Sequence, residues 1–155
     1  MTPYLIDKTA ELDAIKQKYG ERYISDWDAI REAAELWGVD CNRHGMITDC
    51  HREVLAQKGG CKAEFLTVMS SKGYWLSGLD ARSAYNGFGC MPSVWDRVAF
   101  SSHQNAKLAA IDKFTDFFNE VVNSNDSCNS AKNRSDAKQI VALLQAASTP
   151  QMTLF

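Results

Sequence analysis

Apolar residues recur every three or four positions in two segments near the start of the chain, a spacing that places them on one helix face. The apolar positions are Leu12, Ile15 and Tyr19 in the first segment, and Ile30, Ala33, Ala34 and Trp37 in the second. Gly20 and Gly38 follow the segments, and glycine is favoured just after a helix. Ser25 precedes an acidic turn as a candidate N-cap. The pattern therefore predicts helices over residues 7–20 and 25–38.

A third helix is predicted over residues 49–58. Thr48 is its candidate N-cap, and Gly59 and Gly60 follow as residues that end it. Its apolar stripe consists of Cys50, Val54 and Leu55, which is thin for a helix that packs on a core.

Two segments rich in β-branched and aromatic residues flank the sequence SSKG, and this arrangement predicts a β-hairpin over residues 63–79. Residues 81–97 contain two glycines, a proline and three aromatic residues without a clear period. We interpret them as a structured loop, which a short third strand could precede.

The longest helical pattern begins at Ser101 or Ser102 and ends near Val122. Its apolar face consists of Leu108, Ile111, Phe114, Phe118 and Val121. Residues 123–135 are almost entirely polar and predict a mobile loop, after which Ser135 is the candidate N-cap of a last helix that ends near Ser148. Together these elements predict an α+β fold, with helices packed on a small antiparallel sheet.

Composition limits the class of protein. With 155 residues, of which 45% are hydrophobic and 23% charged, the chain can form one globular domain, which we expect to span residues 1–148. We expect a cytoplasmic protein, because no long apolar run and no leader pattern is present and because five scattered cysteines suit reduced thiols. The net charge of −2 disfavours strong unaided binding to DNA.

The chain ends in the sequence TPQMTLF, which leaves large apolar residues beyond a proline. Pro150 cannot continue a helix, and it biases Thr149 towards an extended conformation. We therefore expect residues 149–155 to form a free, extended tail. The alternative is that Leu154 and Phe155 fold back on the core as a plug.

The segment QMTLF resembles the pentapeptide by which bacterial polymerases, repair proteins and mobile-element proteins dock on the replication sliding clamp. Gln151, Leu154 and Phe155 match its fixed positions. The resemblance implies that Leu154 and Phe155 are apolar anchors, that Gln151 sets the register, and that Met152 and Thr153 lie along the rim of a groove. It covers five residues, and the other 150 are assigned to no family.

Thiol and imidazole groups within 21 residues raise the question of a zinc site. The candidates are Cys41, His44, Cys50, His51 and Cys61. Their spacing lacks the paired knuckles of zinc modules, so we favour buried thiols with surface histidines and expect no bound metal or other cofactor.

Aromatic and basic residues alternate between positions 72 and 97, a composition that suits stacking on single-stranded nucleic acid. The residues are Lys72, Tyr74, Trp75, Arg82, Tyr85, Phe88 and Arg97. The alternative is ordinary core and hairpin packing. Cys90 with His103 is a weaker candidate for nucleophilic catalysis.

These observations lead to one main hypothesis and its alternatives. The resemblance implies a non-enzymatic phage or plasmid protein that docks on the bacterial sliding clamp as an adaptor or an inhibitor, and that contacts DNA when it is tethered there. The alternatives are a small enzyme or defence-evasion protein, and a module that binds single-stranded nucleic acid.

Overall fold

The computed structural model describes residues 5–149, which contain four α-helices and six β-strands. The helices are α1 (Thr9–Tyr19), α2 (Trp27–Trp37), α3 (His103–Asn123) and α4 (Ala131–Ser148). The strands are β1 (Leu5–Asp7), β2 (His51–Lys58), β3 (Cys61–Met69), β4 (Trp75–Arg82), β5 (Gly87–Cys90) and β6 (Val98–Phe100).

The strands form one sheet in the order β1-β6-β4-β3-β2, and β5 pairs with β4. The pairing is antiparallel, with Leu5 opposite Phe100 and Leu79 opposite Cys90. This confirms the predicted α+β fold, with helices packed on an antiparallel sheet. None of the helices between residues 5 and 149 has the length and apolar content that a membrane-spanning helix needs.

The chain divides into two compact units. Unit 1 comprises residues up to 51, together with 66–78 and 91–106, and unit 2 comprises 52–65, 79–90 and the residues from 107 onward.

The core of unit 1 is built by α1, α2 and parts of the sheet. Its buried residues are Leu12, Ile15, Ala29, Ile30, Ala33, Trp37, Ile47, Leu76, Val94 and Ala99. Six of these ten residues lie on α1 and α2, and five of the six belong to the predicted apolar faces. Burial of an amphipathic face stabilises a helix more than its propensity does.

The N-cap of α2 is Asp26, so the prediction of Ser25 is wrong by one residue. The Asp26 carboxylate accepts hydrogen bonds from the backbone N–H groups of Asp28 (2.9 Å) and Ala29 (3.4 Å). Ser25 ends a short 3-10 helix instead. Both residue types can cap a helix, and only Asp26 has the extended backbone that aims its side chain at the first turn.

The third predicted helix is wrong, because residues 51–58 form β2. Gly59 and Gly60 do not end a helix but form the two-residue turn between β2 and β3, with Gly59 at φ +56°. Arg52 pairs across the strands with Glu64 at 2.7 Å. Cross-strand pairing thus overrides a helical pattern whose apolar stripe was thin.

The predicted hairpin is confirmed, and it is longer than expected. The strands β3 and β4 are joined by a turn in which the Ser70 N–H donates to the Tyr74 carbonyl at 2.7 Å and Gly73 has φ +82°. The following stretch, interpreted as a loop, contains β5 and leads into β6. A side chain at Gly87 would lie 2.9 Å from the Ala81 carbonyl oxygen, so glycine permits this close pairing.

Unit 2 buries the apolar faces of α3 and α4, including Phe114, Phe118, Val121, Ile140 and Leu144.

The predicted loop over 123–135 is wrong in its second half, because α4 begins at Ala131 with Ser130 as its N-cap. Ser135 is therefore an exposed residue inside the helix. Asn129 is only 2% exposed, and its amide donates to the carbonyls of Val121 and Ser124. The polar residues in this segment form hydrogen bonds with backbone groups at the end of α3 and the start of α4. Their composition alone does not distinguish this role from that of a mobile loop.

A buried amide joins three segments of unit 2. The Asn133 side-chain oxygen accepts a hydrogen bond from the Ala84 N–H at 3.0 Å and from the Cys61 thiol at 3.4 Å. Its amino group donates to the side-chain oxygen of Asn129 at 2.8 Å. Asn133 therefore links α4 to β3 and to the turn after β4.

Candidate functional site

The helix that precedes the proposed docking peptide ends where the sequence predicts. The last residue of α4 is Ser148, and Thr149 has extended backbone angles of φ −78° and ψ 125°. The residues that match the pentapeptide, together with Met152 and Thr153, lie outside the described residues. Their conformation stays a prediction.

A groove of about 500 Å³ opens in unit 1 beside Trp75, and we call it the Trp75 groove. The residues that define it are Asp49, His51, Thr67, Met69, Trp75 and His103. They come from the residues just before β2 and its first residue, the end of β3, the start of β4 and the first residue of α3. The volume falls in the range of small-molecule sites.

Two aromatic rings form a corner in the Trp75 groove. The Trp75 and His103 rings are 5.3 Å apart between centroids and meet at 74°, an edge-to-face arrangement. Met69 is 59% exposed although it lies at the end of a sheet strand. The groove therefore offers aromatic and thioether surface to a ligand.

Thr67 gives the groove a polar group. The residue is only 2% exposed, and among the described residues its hydroxyl forms no hydrogen bond. The buried side-chain atoms that lack a partner in this part of the chain belong to Trp37, Glu53 and Trp95, so the Thr67 hydroxyl reaches the surface of the groove, where water or a ligand can bond it.

A second groove of about 710 Å³ runs beside α2 and includes Tyr19, Trp27 and Glu32. The Tyr19 hydroxyl donates to the Glu32 carboxylate, which also pairs with Lys18 at 3.0 Å. These hydrogen bonds, that from Tyr19 foremost, lower the pKa of Glu32. The hydrogen bond to Glu32 in turn raises the pKa of Tyr19 and that of Lys18. Within this groove, Lys18 and Glu32 are thus paired with each other.

The predicted nucleic-acid residues fall in both units. In unit 1, Tyr74 packs edge-on against Trp37 at 6.0 Å, Trp75 meets His103, and the Lys72 ammonium donates to the Leu36 carbonyl. Arg97, also in unit 1, is exposed.

In unit 2, Phe88 lies 5.1 Å from Phe117 and Arg82 pairs with Asp80. Tyr85 is half-buried. Of the predicted surface, Trp75 alone lines one of the two grooves described above.

The proposed zinc ligands do not converge. Among residues 5–149, no three His, Cys, Asp or Glu side chains are arranged to hold a metal ion. Cys61 is buried and donates to Asn133, and burial raises the pKa of its thiol. Burial also raises the pKa of Cys41. His44 and His51 are exposed, as the favoured interpretation expected, whereas Cys41 and Cys50 are half-buried rather than buried.

The candidate catalytic residues have separate surroundings. Cys90 is exposed at the end of β5 in unit 2, and His103 packs on Trp75 in unit 1. These contacts give no support to a thiol–imidazole pair.

The chain matches no protein-family model, no curated protein and no solved structure.

The sequence alone does not single out Thr67 or Glu32. Thr67 lies in a β-rich run where threonine is common. The partner of Glu32, Tyr19, is predicted only as part of the apolar face of the first helix. The groove around Thr67 and the pairing of Glu32 with Tyr19 both join segments that are distant along the chain, so no local pattern marks these residues.

Proposed function

We propose that this protein docks on the bacterial replication sliding clamp through residues 151–155. The observation that carries the proposal is the match of Gln151, Leu154 and Phe155 to the clamp-binding pentapeptide. The end of α4 at Ser148 and the extended backbone of Thr149 support it, since a docking peptide must leave the helix before it can enter a groove.

The side chains of the proposed docking segment have different roles in binding. Leu154 and Phe155 bury apolar surface, which supplies most of the binding free energy. The Gln151 amide has both a donor and an acceptor, so it can fix the register of an extended peptide. A segment this short buries little area, and we expect a dissociation constant around micromolar for the peptide alone.

The folded body then acts while it is tethered at the replication fork. Tethering raises the local concentration of an acidic protein near DNA, even though its net charge of −2 opposes direct binding. We propose a non-enzymatic phage or plasmid accessory protein that acts in the cytoplasm as an adaptor, or as an inhibitor that displaces other clamp partners.

Calorimetry against purified bacterial sliding clamp tests the proposal. The intact chain should bind, and the double variant Leu154→Ala with Phe155→Ala should lose binding almost entirely. Thr153→Ala is the matched control, because a rim residue should change the affinity little.

A thermal melt of a chain that lacks residues 151–155 separates docking from a structural plug. If the segment docks, truncation removes clamp binding and leaves the melting temperature nearly unchanged. If Leu154 and Phe155 are a plug, truncation should cost a few kcal/mol of stability, the scale of two buried apolar side chains. Clamp binding that survives in the double variant would also refute the proposal.

A further inference from the structure

The Trp75 groove has a shape that suits a flat ring. Its aromatic corner is formed by Trp75 and His103, whose planes meet at 74°. A planar ligand that stacks on one of these rings meets the edge of the other, and both contacts are favourable geometries for aromatic systems. The thioether of Met69 adds polarizable surface next to the corner.

The polar groups of the groove require a ligand with a hydrogen-bonding edge. The Thr67 hydroxyl belongs to the lining and reaches the surface of the groove, and in the described part of the chain it forms no hydrogen bond. A hydroxyl can donate and accept, and the nearby Asp49 carboxylate accepts. A purely apolar ring would leave Thr67 unsatisfied, whereas a heteroaromatic ring with N–H and carbonyl groups would not.

Charge argues for a neutral ring in the groove. Its lining, all of it within residues 49–103, includes the carboxylate of Asp49 and neither lysine nor arginine. A phosphate placed inside would meet a like charge without a cationic partner. A base whose sugar and phosphate stay outside avoids this cost.

From these three observations we propose that the Trp75 groove binds one unpaired nucleobase, stacked at the Trp75–His103 corner with its polar edge at Thr67. The base can come from a free nucleoside or from single-stranded DNA. A base in a duplex cannot enter, because its edge and both faces are already occupied. The site is independent of the docking peptide and goes beyond the proposed clamp binding.

Calorimetry with three probes tests the proposal on the full-length chain. The probes are thymidine with deoxyadenosine, a short single-stranded oligothymidylate, and a hairpin duplex. Nitrogen-15 NMR with the same probes locates the site, and the backbone signals of Thr67 and Trp75 should shift. Binding of the nucleosides and the oligonucleotide alike identifies a free nucleoside as sufficient, and binding of the oligonucleotide alone identifies single-stranded DNA as the source.

Two variants remove the proposed contacts. Trp75→Ala should weaken binding by about tenfold or more, since stacking on an aromatic side chain contributes at this level. Thr67→Val keeps the shape of the side chain and removes its hydroxyl, and it should weaken binding by about fivefold. Since no group within residues 5–149 bonds this hydroxyl, Thr67→Val should stay folded even where Trp75→Ala does not.

The matched controls are Trp27→Ala, a half-exposed tryptophan outside this groove, and Thr115→Val, a half-buried threonine on α3. Both should bind like the unmodified chain. The proposal is refuted if no probe binds at millimolar concentration, if the duplex binds as well as the single strand, or if Thr67→Val binds with unchanged affinity.

Discussion

Gly59→Ala tests how closely the β2–β3 turn approaches α4 within unit 2. A Cβ atom at position 59 would lie 2.2 Å from the Oδ2 atom of Asp136 and 2.9 Å from its Cγ. Asp136 has little freedom to move away, because its side chain is 8% exposed and pairs with Lys132 at 2.7 Å. Gly59 also has φ +56°, a backbone angle that strains any other residue.

The expected cost has two parts. The left-handed backbone costs alanine about 1–2 kcal/mol. Displacing a buried carboxylate from its ion pair adds about 1–3 kcal/mol, the scale of a lost partner for a buried polar group. We therefore expect Gly59→Ala to lower the free energy of unfolding by about 2–5 kcal/mol.

Gly73→Ala is the control, because Gly73 has φ +82° and no atom of the described residues lies within 4 Å of its ideal Cβ position. It should show the backbone cost alone, about 1–2 kcal/mol. Urea unfolding followed by circular dichroism measures both variants. Adding Asp136→Ala should reduce the cost of Gly59→Ala to that of Gly73→Ala. Equal costs for the two glycine variants in the unmodified background would refute the reasoning.

Two further variants test local contacts. Asp26→Ala should lower the free energy of unfolding by about 1 kcal/mol, whereas Ser25→Ala should change it by less than about 0.5 kcal/mol; the reverse order in urea unfolding would contradict the assigned cap. Tyr19→Phe should raise the pKa of Glu32, measured by carbon-13 NMR titration. Because that pKa is lowered in the folded state, these contacts stabilise the protein above the ordinary glutamate pKa and lose this effect in acid. Tyr19→Phe should therefore destabilise the fold at neutral pH more than in acid, and an unshifted Glu32 titration would refute this.

Local signals predict the elements that depend on local contacts. The first two helices, the start of α3 and the β3–β4 hairpin all carry a clear period with residues that end or turn the chain. The strand β2 was missed because its partner, β3, decides its conformation and because Gly59 and Gly60 can follow either a helix or a strand. The sequence predicts that α4 begins after Ser135, whereas it begins at Ala131, since several nearby polar residues are equally good caps.

The candidate sites differ in how far sequence can reveal them. A docking pentapeptide is contained in five consecutive residues, so Gln151, Leu154 and Phe155 can be recognised without a fold. The Trp75 groove is assembled from four separated segments. The sequence singles out Trp75, Cys50, His51 and His103 for three different reasons, and nothing in it places them together. The proposed role of Thr67 depends on the position of its hydroxyl in the groove, and that position is fixed only when the strands have folded together.

The hydrogen bond between Asn133 and Ala84 has a consequence for the order of folding. It spans 49 residues, and the bond from Cys61 to Asn133 spans 72. Both bonds require a long loop to close, so they can form only once α4 has docked. The Ala84 N–H lies in a turn after β4, where it would otherwise exchange rapidly with solvent. Its hydrogen-exchange protection therefore reports the free energy of undocking α4, separately from global unfolding.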